Sequence, residues 1–191
     1  EHWMDHLRNF VDNGVRGFKM DPARTIDEHP TRDYYNGYSD KVMHNLNQIL
    51  LPKQMEVMMR DHTGRRNWHH YTAGWAGTQH WGASTSGDNG GGKTALFDQL
   101  NLGMSGFLNT RARDVSLLQP FYFSTHDKAI YKYYVQLRYR LLPYIYTAAI
   151  EGAQTGMPIV RSMPLEFPAD RNVDDACYQY MFGKNFLVGI F

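Results

Sequence analysis

The stretch Gly14-Val15-Arg16-Gly17-Phe18-Lys19-Met20-Asp21 decides how this 191-residue chain is organised. Its apolar residues favour a short buried strand from Val15 to Met20, and Asp21 follows directly after that strand. Before it, residues 2–12 carry apolar side chains on one face of a helical pattern, and Gly14 supplies a natural helix stop. A helix that leads into a buried strand ending in a carboxylate is typical of an α/β protein.

The same alternation continues toward the C-terminus. Ser39 is suited to cap a helix that runs to about Leu51 and is ended by Pro52. Residues 55–60 then have the pattern of a strand, and residues 93–102 have that of a helix. Helices and strands that alternate with short linkers predict a parallel α/β sheet or barrel.

The last part of the chain has a different pattern. A long Tyr- and Leu-rich helix is expected over residues 127–154, followed by the strands of a β-rich module at residues 158–167 and 185–191. We therefore predict a domain boundary near the end of the long helix. The predicted domains are residues 1–155 and 156–191.

Composition and charge exclude several classes of protein. Hydrophobic residues make up 42% of the chain and charged residues 20%, which is ordinary for a globular protein and excludes intrinsic disorder. The net charge of +1 gives no reason to expect a nucleic-acid or membrane partner. Cys177 is the single cysteine, so no internal disulfide or zinc finger can form. We expect no metal and no cofactor, and the compartment and oligomeric state stay open.

Two carboxylates are candidates for paired nucleophilic and acid–base chemistry. Asp21 follows a predicted strand, at the end where α/β barrels carry their active sites, and Lys19 lies two residues back on the same strand face. Asp88 lies in the polar segment from Ser84 to Asn89. Retaining glycosidases hold two carboxyl groups about 5–5.5 Å apart, one as nucleophile and one as proton donor. On its own, the Asp21 motif fits a structural strand-end cap equally well.

The segment around Asp88 also fits a phosphate-binding pattern. Gly87 to Thr94 matches G-x-x-x-x-G-K-[ST], and a predicted helix follows. However, the preceding residues 79–86 do not form the apolar strand that such a loop leaves, and Asp88 would repel phosphate groups. A P-loop nucleotide-binding protein is therefore the least favoured hypothesis.

Several segments together resemble glycoside hydrolase family 31, the α-glucosidase and α-xylosidase family. Residues 14–21 resemble its nucleophile strand, including the lysine two residues before the aspartate. Gly77-Thr78-Gln79, followed by Gly87-Asp88, resembles the segment that ends in the acid/base aspartate. Residues 56–60 resemble the intervening strand with its terminal sugar-binding arginine, and residues 103–107 resemble the next strand.

This resemblance implies a fold, a reaction and a set of site residues. The fold is part of a (β/α)8 TIM barrel followed by the beginning of a β-sandwich domain. The reaction is hydrolysis, with retention, of terminal α-linked glucosyl or xylosyl residues of an oligosaccharide or glycoside, without a cofactor. The implied catalytic residues are Asp21 and Asp88, and the implied substrate-binding residues are Lys19, Arg60 and Asp114.

Departures from the family pattern leave an alternative open. Thr85 stands where the family usually has a tryptophan, three residues before Asp88, and the chain lacks barrel strands at both ends of the catalytic segment. A non-catalytic carbohydrate-binding relative is the alternative that these departures favour. They also lead us to expect that the chain alone is a fragment, poorly folded and inactive. The accepted sugar, and hydrolysis against transfer, stay open.

Overall fold

A computed structural model describes residues 2–21, 31–72, 74–85, 92–107, 110–111 and 122–190. The chain divides into two compact units, Glu1–Gly87 and Asp88–Phe191. The α-helices of the described residues are α1 (His2–Asp12), α2 (Asp40–Thr63), α3 (Gly92–Met104), α4 (Thr125–Thr155) and α5 (Met163–Glu166). The strands are β1 (Lys19–Met20), β2 (His70–Tyr71), β3 (Ala83–Thr85), β4 (Thr110–Arg111), β5 (Val160–Ser162), β6 (Gln179–Phe182) and β7 (Phe186–Gly189). None of these helices combines the length and apolar character needed to cross a bilayer.

The first unit is built on a parallel sheet, as the sequence predicts. β1 pairs with β2, with Lys19 opposite His70 and Met20 opposite Tyr71, and β2 pairs in parallel with β3. The pairing extends one residue beyond β2, because the N–H of Thr72 donates to the carbonyl of Met20 at 3.1 Å. The carboxyl ends of these strands therefore lie together at one edge of the sheet.

Alternation along β1 separates a core face from an open face. Phe18 and Met20 pack against a buried cluster supplied by α1 and α2. Successive strand residues point to opposite sides of a sheet, so Lys19 and Asp21 lie on the face turned away from these helices. The cluster consists of Val11, Met55, Met58 and Met59.

The predicted helix over residues 2–12 is confirmed, but the predicted strand from Val15 to Met20 begins only at Lys19. The physical reason is the end of α1. The N–H of Val15 donates to the carbonyl of Phe10 at 3.0 Å, so it terminates the helix and is not free for a strand ladder. Gly14 makes this turn possible, since its φ of 103° is one that residues with a Cβ rarely adopt.

The predicted helix end at Pro52 and the predicted strand over residues 55–60 are both wrong. α2 continues from Asp40 to Thr63 with Pro52 in its interior. A proline has no N–H, so the carbonyl of Gln48, four residues earlier, loses its helical partner. Thr78 replaces that partner, because its Oγ1 donates to the Gln48 carbonyl at 3.1 Å. The methionines of residues 55–60 then follow helical spacing and face the sheet.

The helix predicted over residues 93–102 is confirmed as α3, whereas the strand expected over residues 103–107 is wrong. The chain makes a helix-end turn there, in which the N–H of Phe107 donates to the carbonyl of Leu102 at 3.0 Å. The next strand, β4, starts only at Thr110. Gly103 belongs to the helix, and its lack of a side chain lets α3 approach β5 closely.

The second unit also contains the long helix and an antiparallel sheet. The predicted helix over residues 127–154 is confirmed as α4, which Gly156 ends with a φ of 82°. β5 pairs with β6 and β6 with β7, all antiparallel. The strands expected at 158–167 and 185–191 shorten to β5 and β7, because residues 163–166 form α5, and β6 was not predicted. The hydroxyl of Tyr144 donates to the Phe182 carbonyl at 2.7 Å and so holds the β6–β7 hairpin against α4.

A polar cluster lies inside the first unit, between α2 and the sheet. His69 is buried, and its Nε2 lies 3.8 Å from a carboxylate oxygen of Glu56 on α2. Burial lowers the pKa of His69 from 6.5 to about 4, raises the pKa of Glu56, and raises that of Tyr71. At neutral pH, His69 is therefore uncharged, and its contact with Glu56 is not an ion pair.

Replacing Gly17 with alanine should destabilise the first unit. A Cβ at Gly17 would stand 2.0 Å from the carbonyl oxygen of Trp68, so backbone would have to move, and overpacking of this kind costs about 1–3 kcal/mol. Gly64→Ala is the control for a glycine replacement without a steric clash. Gly64 has a φ of 65°, so alanine there strains the backbone, but nothing lies within 4 Å of the added Cβ. Thermal denaturation should show a larger loss for Gly17→Ala, and equal losses would contradict the close approach.

His69 should also make stability depend on pH. Between pH 6.5 and about 4, the unfolded chain binds a proton at His69 that the folded chain does not, so the free energy of unfolding falls as the pH falls. Lowering the pKa of His69 from 6.5 to about 4 corresponds to about 3 kcal/mol of stability lost over this window. Glu56 acts in the opposite direction, because its raised pKa lets the folded state bind a proton first. In His69→Phe, the free energy of unfolding, measured by denaturant titration, should fall less between pH 7 and 4 than in the unmutated protein. The same fall in both proteins would contradict the lowered pKa of His69.

Candidate active site

Asp21 lies where the sequence predicts it, directly after β1 at the carboxyl edge of the parallel sheet. Its side chain is exposed, and its Oδ2 accepts a hydrogen bond from the ammonium of Lys19 on the same face of β1. Thr72 occupies the equivalent place after β2, and both its N–H and its Oγ1 are directed to the Met20 carbonyl, at 3.1 and 3.4 Å. A carboxylate and an ammonium therefore stand together at the edge where parallel α/β folds carry their sites.

The other two carboxylates of the predicted site, Asp88 and Asp114, lie outside the described residues. Asp88 comes three residues after the end of β3, the strand that pairs with β2. The structure therefore brings Lys19 and Asp21 together, and the roles of Asp88 and Asp114 stay predictions.

Arg60 lies away from this edge, in the last turn of α2, with its Nε 3.5 Å from an Asp61 carboxylate oxygen. Two residues on, His62 Nε2 lies 2.6 Å from Oδ1 of Asp12, which is the last residue of α1. Because α1 ends just before β1 begins, the end of α2 lies near the amino edge of the sheet, opposite to Asp21. The sugar contact predicted for Arg60 depended on a strand end that the structure does not contain there.

β2 (His70–Tyr71) lies in a histidine-rich segment for which the sequence predicts no strand. His70 lies opposite Lys19, so the two share the face that also carries Asp21. The indole of Trp68 stacks on the His70 ring with their centroids 5.4 Å apart. Sequence reasoning missed this strand because it contains histidine and tyrosine in place of an aliphatic run. The adjacent aromatic residues were the one available signal, since aromatic side chains favour strands.

The histidines do not build a metal centre in the described part of the chain. There, no three His, Cys, Asp or Glu side chains converge as a metal ion would require. His69 points into the core toward Glu56, whereas its neighbour His70 lies on the other face of β2. Adjacent strand residues cannot both turn to one ion on one face of the sheet.

Lys93, the lysine of the phosphate-loop pattern, is engaged by aromatic side chains of the second unit. Its ammonium lies 5.4 Å from the ring centre of Phe97 and 5.1 Å from that of Tyr178. A hydrogen bond with Tyr178 raises the pKa of Lys93. Residues 86–91, which carry most of the pattern, lie outside the described residues.

Comparison with known proteins gives matches over most of the chain. Residues 1–116 match the Glycosyl hydrolases family 31 TIM-barrel domain, and residues 156–190 match the Glycosyl hydrolase family 31 C-terminal domain. The residues between the two matches contain α4, so the predicted domain boundary near residue 155 stays a prediction.

Individual relatives agree with these matches. An alpha-xylosidase of Emericella nidulans is 26% identical over 220 residues, which cover 96% of this chain and 28% of that protein. Alpha-glucosidase 2 of Bacillus thermoamyloliquefaciens is 25% identical over 232 residues, covering 97% of this chain and 30% of that protein. A GH31 dextranase of Flavobacterium johnsoniae, solved with glucose, shares the fold with a TM-score of 0.82 at 22% identity, over 99% of this chain and 30% of that chain.

The chain thus spans less than a third of the length of these relatives. Its fold is part of the TIM-barrel domain of the family followed by the start of the C-terminal domain, as the sequence predicts. Since the barrel-domain match alone covers more than half of the residues, the chain belongs to glycoside hydrolase family 31.

Proposed function

We propose that the protein carrying this chain is a retaining α-glycoside hydrolase that acts on terminal α-linked glucosyl or xylosyl residues. The observation that carries this proposal is the position of Asp21, exposed at the carboxyl edge of a family 31 barrel sheet and hydrogen-bonded to Lys19. The relatives support the choice of sugars, because those of similar sequence are named alpha-xylosidase and alpha-glucosidase. The substrate is then an oligosaccharide or a simpler glycoside.

In the first step, Asp21 is the nucleophile. One of its carboxylate oxygens attacks the anomeric carbon and forms a glycosyl ester, while the bond from that carbon to the glycosidic oxygen breaks. Asp88 supplies the proton that the departing oxygen needs. The leaving alcohol or sugar is released with that proton, and Asp88 is left as a carboxylate.

In the second step, Asp88 acts as a base. It removes a proton from a water molecule that attacks the anomeric carbon of the ester, and Asp21 is released as a carboxylate. Two inversions at the same carbon restore the α configuration. The free sugar is therefore released with retention.

Lys19 and Asp114 are the proposed sugar-binding residues. The Lys19 ammonium fixes the orientation of the Asp21 carboxylate through their hydrogen bond, and its remaining N–H groups can donate to sugar hydroxyls. Asp114 is proposed to line the same site, on the family resemblance alone. Arg60 is left out of the proposed site, because the end of α2 and the carboxyl edge of the sheet lie on opposite sides.

A mechanism-based label should attach to Asp21. A 5-fluoroglycosyl fluoride of glucose or xylose forms the glycosyl ester but slows its hydrolysis, so peptide mapping of the inactivated protein identifies the nucleophile. The label is expected on the peptide that contains Lys19 and Asp21, and not on the Asp21→Asn variant. Labelling of any other carboxylate would show that Asp21 is not the nucleophile. A protein that binds glucosides or xylosides but turns none over is a carbohydrate-binding relative instead.

Azide should distinguish the two carboxylates by the anomer that it produces. Asp21→Ala and Asp88→Ala should each lower kcat by about a thousandfold or more. With an activated α-glycoside, Asp88→Ala still forms the ester, and azide, which needs no base, should release the α-glycosyl azide. In Asp21→Ala, azide takes the place of the missing carboxylate and should give the β-glycosyl azide. Product anomers read by NMR in the opposite order would mean that the two roles are reversed.

A further inference from the structure

The loop after β2 presents a tryptophan beside the candidate site. Trp75 is 52% exposed, although its backbone is held tightly. Its carbonyl accepts the N–H of Thr78 at 2.9 Å, and its own N–H donates to the Thr78 hydroxyl at 3.0 Å. An exposed indole on a fixed turn is the arrangement that binding sites use, because little conformational freedom is lost on contact.

The turn formed by Trp75 and Thr78 is itself anchored to the core of the first unit. The side chain of Thr78 is fully buried, and its hydroxyl donates to the Gln48 carbonyl, which Pro52 leaves without a helical partner. Gln48 belongs to the first half of α2, the half that lies on the side of the loop after β2. The position of Trp75 is thus set by α2 and not by the loop alone.

Chain connectivity limits how far Trp75 can lie from Asp21. Thr72 is next to Asp21, because its N–H donates to the carbonyl of Met20 on the adjacent strand. Three peptide units lead from Thr72 to Trp75, so their Cα atoms are at most about 11 Å apart. Thr72 and Trp75 both follow β2, so Trp75 lies beyond the carboxyl ends of the strands, at the same edge of the sheet as Asp21.

We propose that Trp75 is a stacking platform for the sugar on the leaving-group side of the scissile bond. A terminal sugar attacked by Asp21 must sit against the strand ends, so the next sugar of the substrate lies further toward solvent, where Trp75 is. The C–H face of a pyranose packs favourably on an indole ring, which offers a large, rigid and apolar surface. This inference rests on the proposed function and makes Trp75 a specificity-determining residue for substrates longer than one sugar.

Two substrates of the same sugar separate this role from the chemistry. An α-glycosyl fluoride has no sugar in the leaving group, whereas an α-linked disaccharide such as maltose, or its xylosyl counterpart, has one. Trp75→Ala should lower kcat/KM for the disaccharide about tenfold, chiefly through KM, and should leave kcat/KM for the fluoride within about twofold. Trp75→Phe, which keeps a smaller aromatic face, should recover part of the loss.

Trp68 offers a matched control. It is 49% exposed, nearly the same as Trp75, but it precedes β2 and so lies toward the amino edge of the sheet. Trp68→Ala should not change the ratio of disaccharide to fluoride kcat/KM, and thermal denaturation of each variant checks that it is folded. An unchanged ratio in Trp75→Ala, or an equal change in Trp68→Ala, would overturn the inference. If the unmutated protein cleaves neither substrate, the proposed function itself fails.

Discussion

The parallel pairing of β1 with β2 is the constraint on which the rest of the first unit depends. The N–H groups of His70 and Thr72 donate to the carbonyls of Phe18 and Met20 at 3.0 and 3.1 Å. Alternate residues of each strand are thereby assigned to opposite faces. A register shift of one residue would turn the Lys19 ammonium toward the methionine core and would expose Met20.

The cost of burying that charge makes the register strongly specified, and the site follows from it. Burying an unpaired ammonium in an apolar core is far more costly than the loss of a few strand hydrogen bonds. The same sorting that places Met20 on the core side therefore places Asp21 on the open side. No separate device is needed to present the carboxylate.

A second constraint links the core to the site through a proline. Inside α2, Pro52 is buried and leaves the Gln48 carbonyl without its helical partner. A half-buried carbonyl without a partner costs stability, and the Thr78 hydroxyl donates the hydrogen bond that the Gln48 carbonyl lacks. One missing N–H in a helix thus becomes an anchor for the loop after β2. The proline is tolerated because the fold supplies the hydrogen bond that the helix cannot.

Sequence reasoning succeeded where local signals and tertiary structure agree. α1 and α4 end at Gly14 and Gly156, whose positive φ angles match the helix stops that glycine predicts. It failed at Pro52, where the local rule for a helix end was overridden by a hydrogen bond from a residue 30 positions away, Thr78. Such a partner cannot be seen in a local window of sequence.

The strands were harder to predict than the helices for a related reason. β2 consists of His70 and Tyr71, whose polar atoms hide the periodicity of a buried strand, and most of the first unit's strands are two residues long. At the site, Asp21 and Lys19 were predictable because they lie two residues apart in one continuous stretch of sequence. Thr72 was not predictable, since its place beside Asp21 follows from strand pairing, which carries no local sequence signal.

Met20 takes part both in the core of the first unit and in the positioning of the candidate site. Its side chain packs against the cluster of α1 and α2, while its carbonyl accepts both donors of Thr72, the residue that leads into the loop carrying Trp75. Asp21 is the very next residue. A change in methionine packing that moves β1 must therefore move the carboxylate and the start of that loop together. This arrangement fixes the Asp21 carboxylate relative to the start of the loop after β2. Asp21 follows Met20 in the chain, and the loop begins at Thr72, which is bound to the Met20 carbonyl.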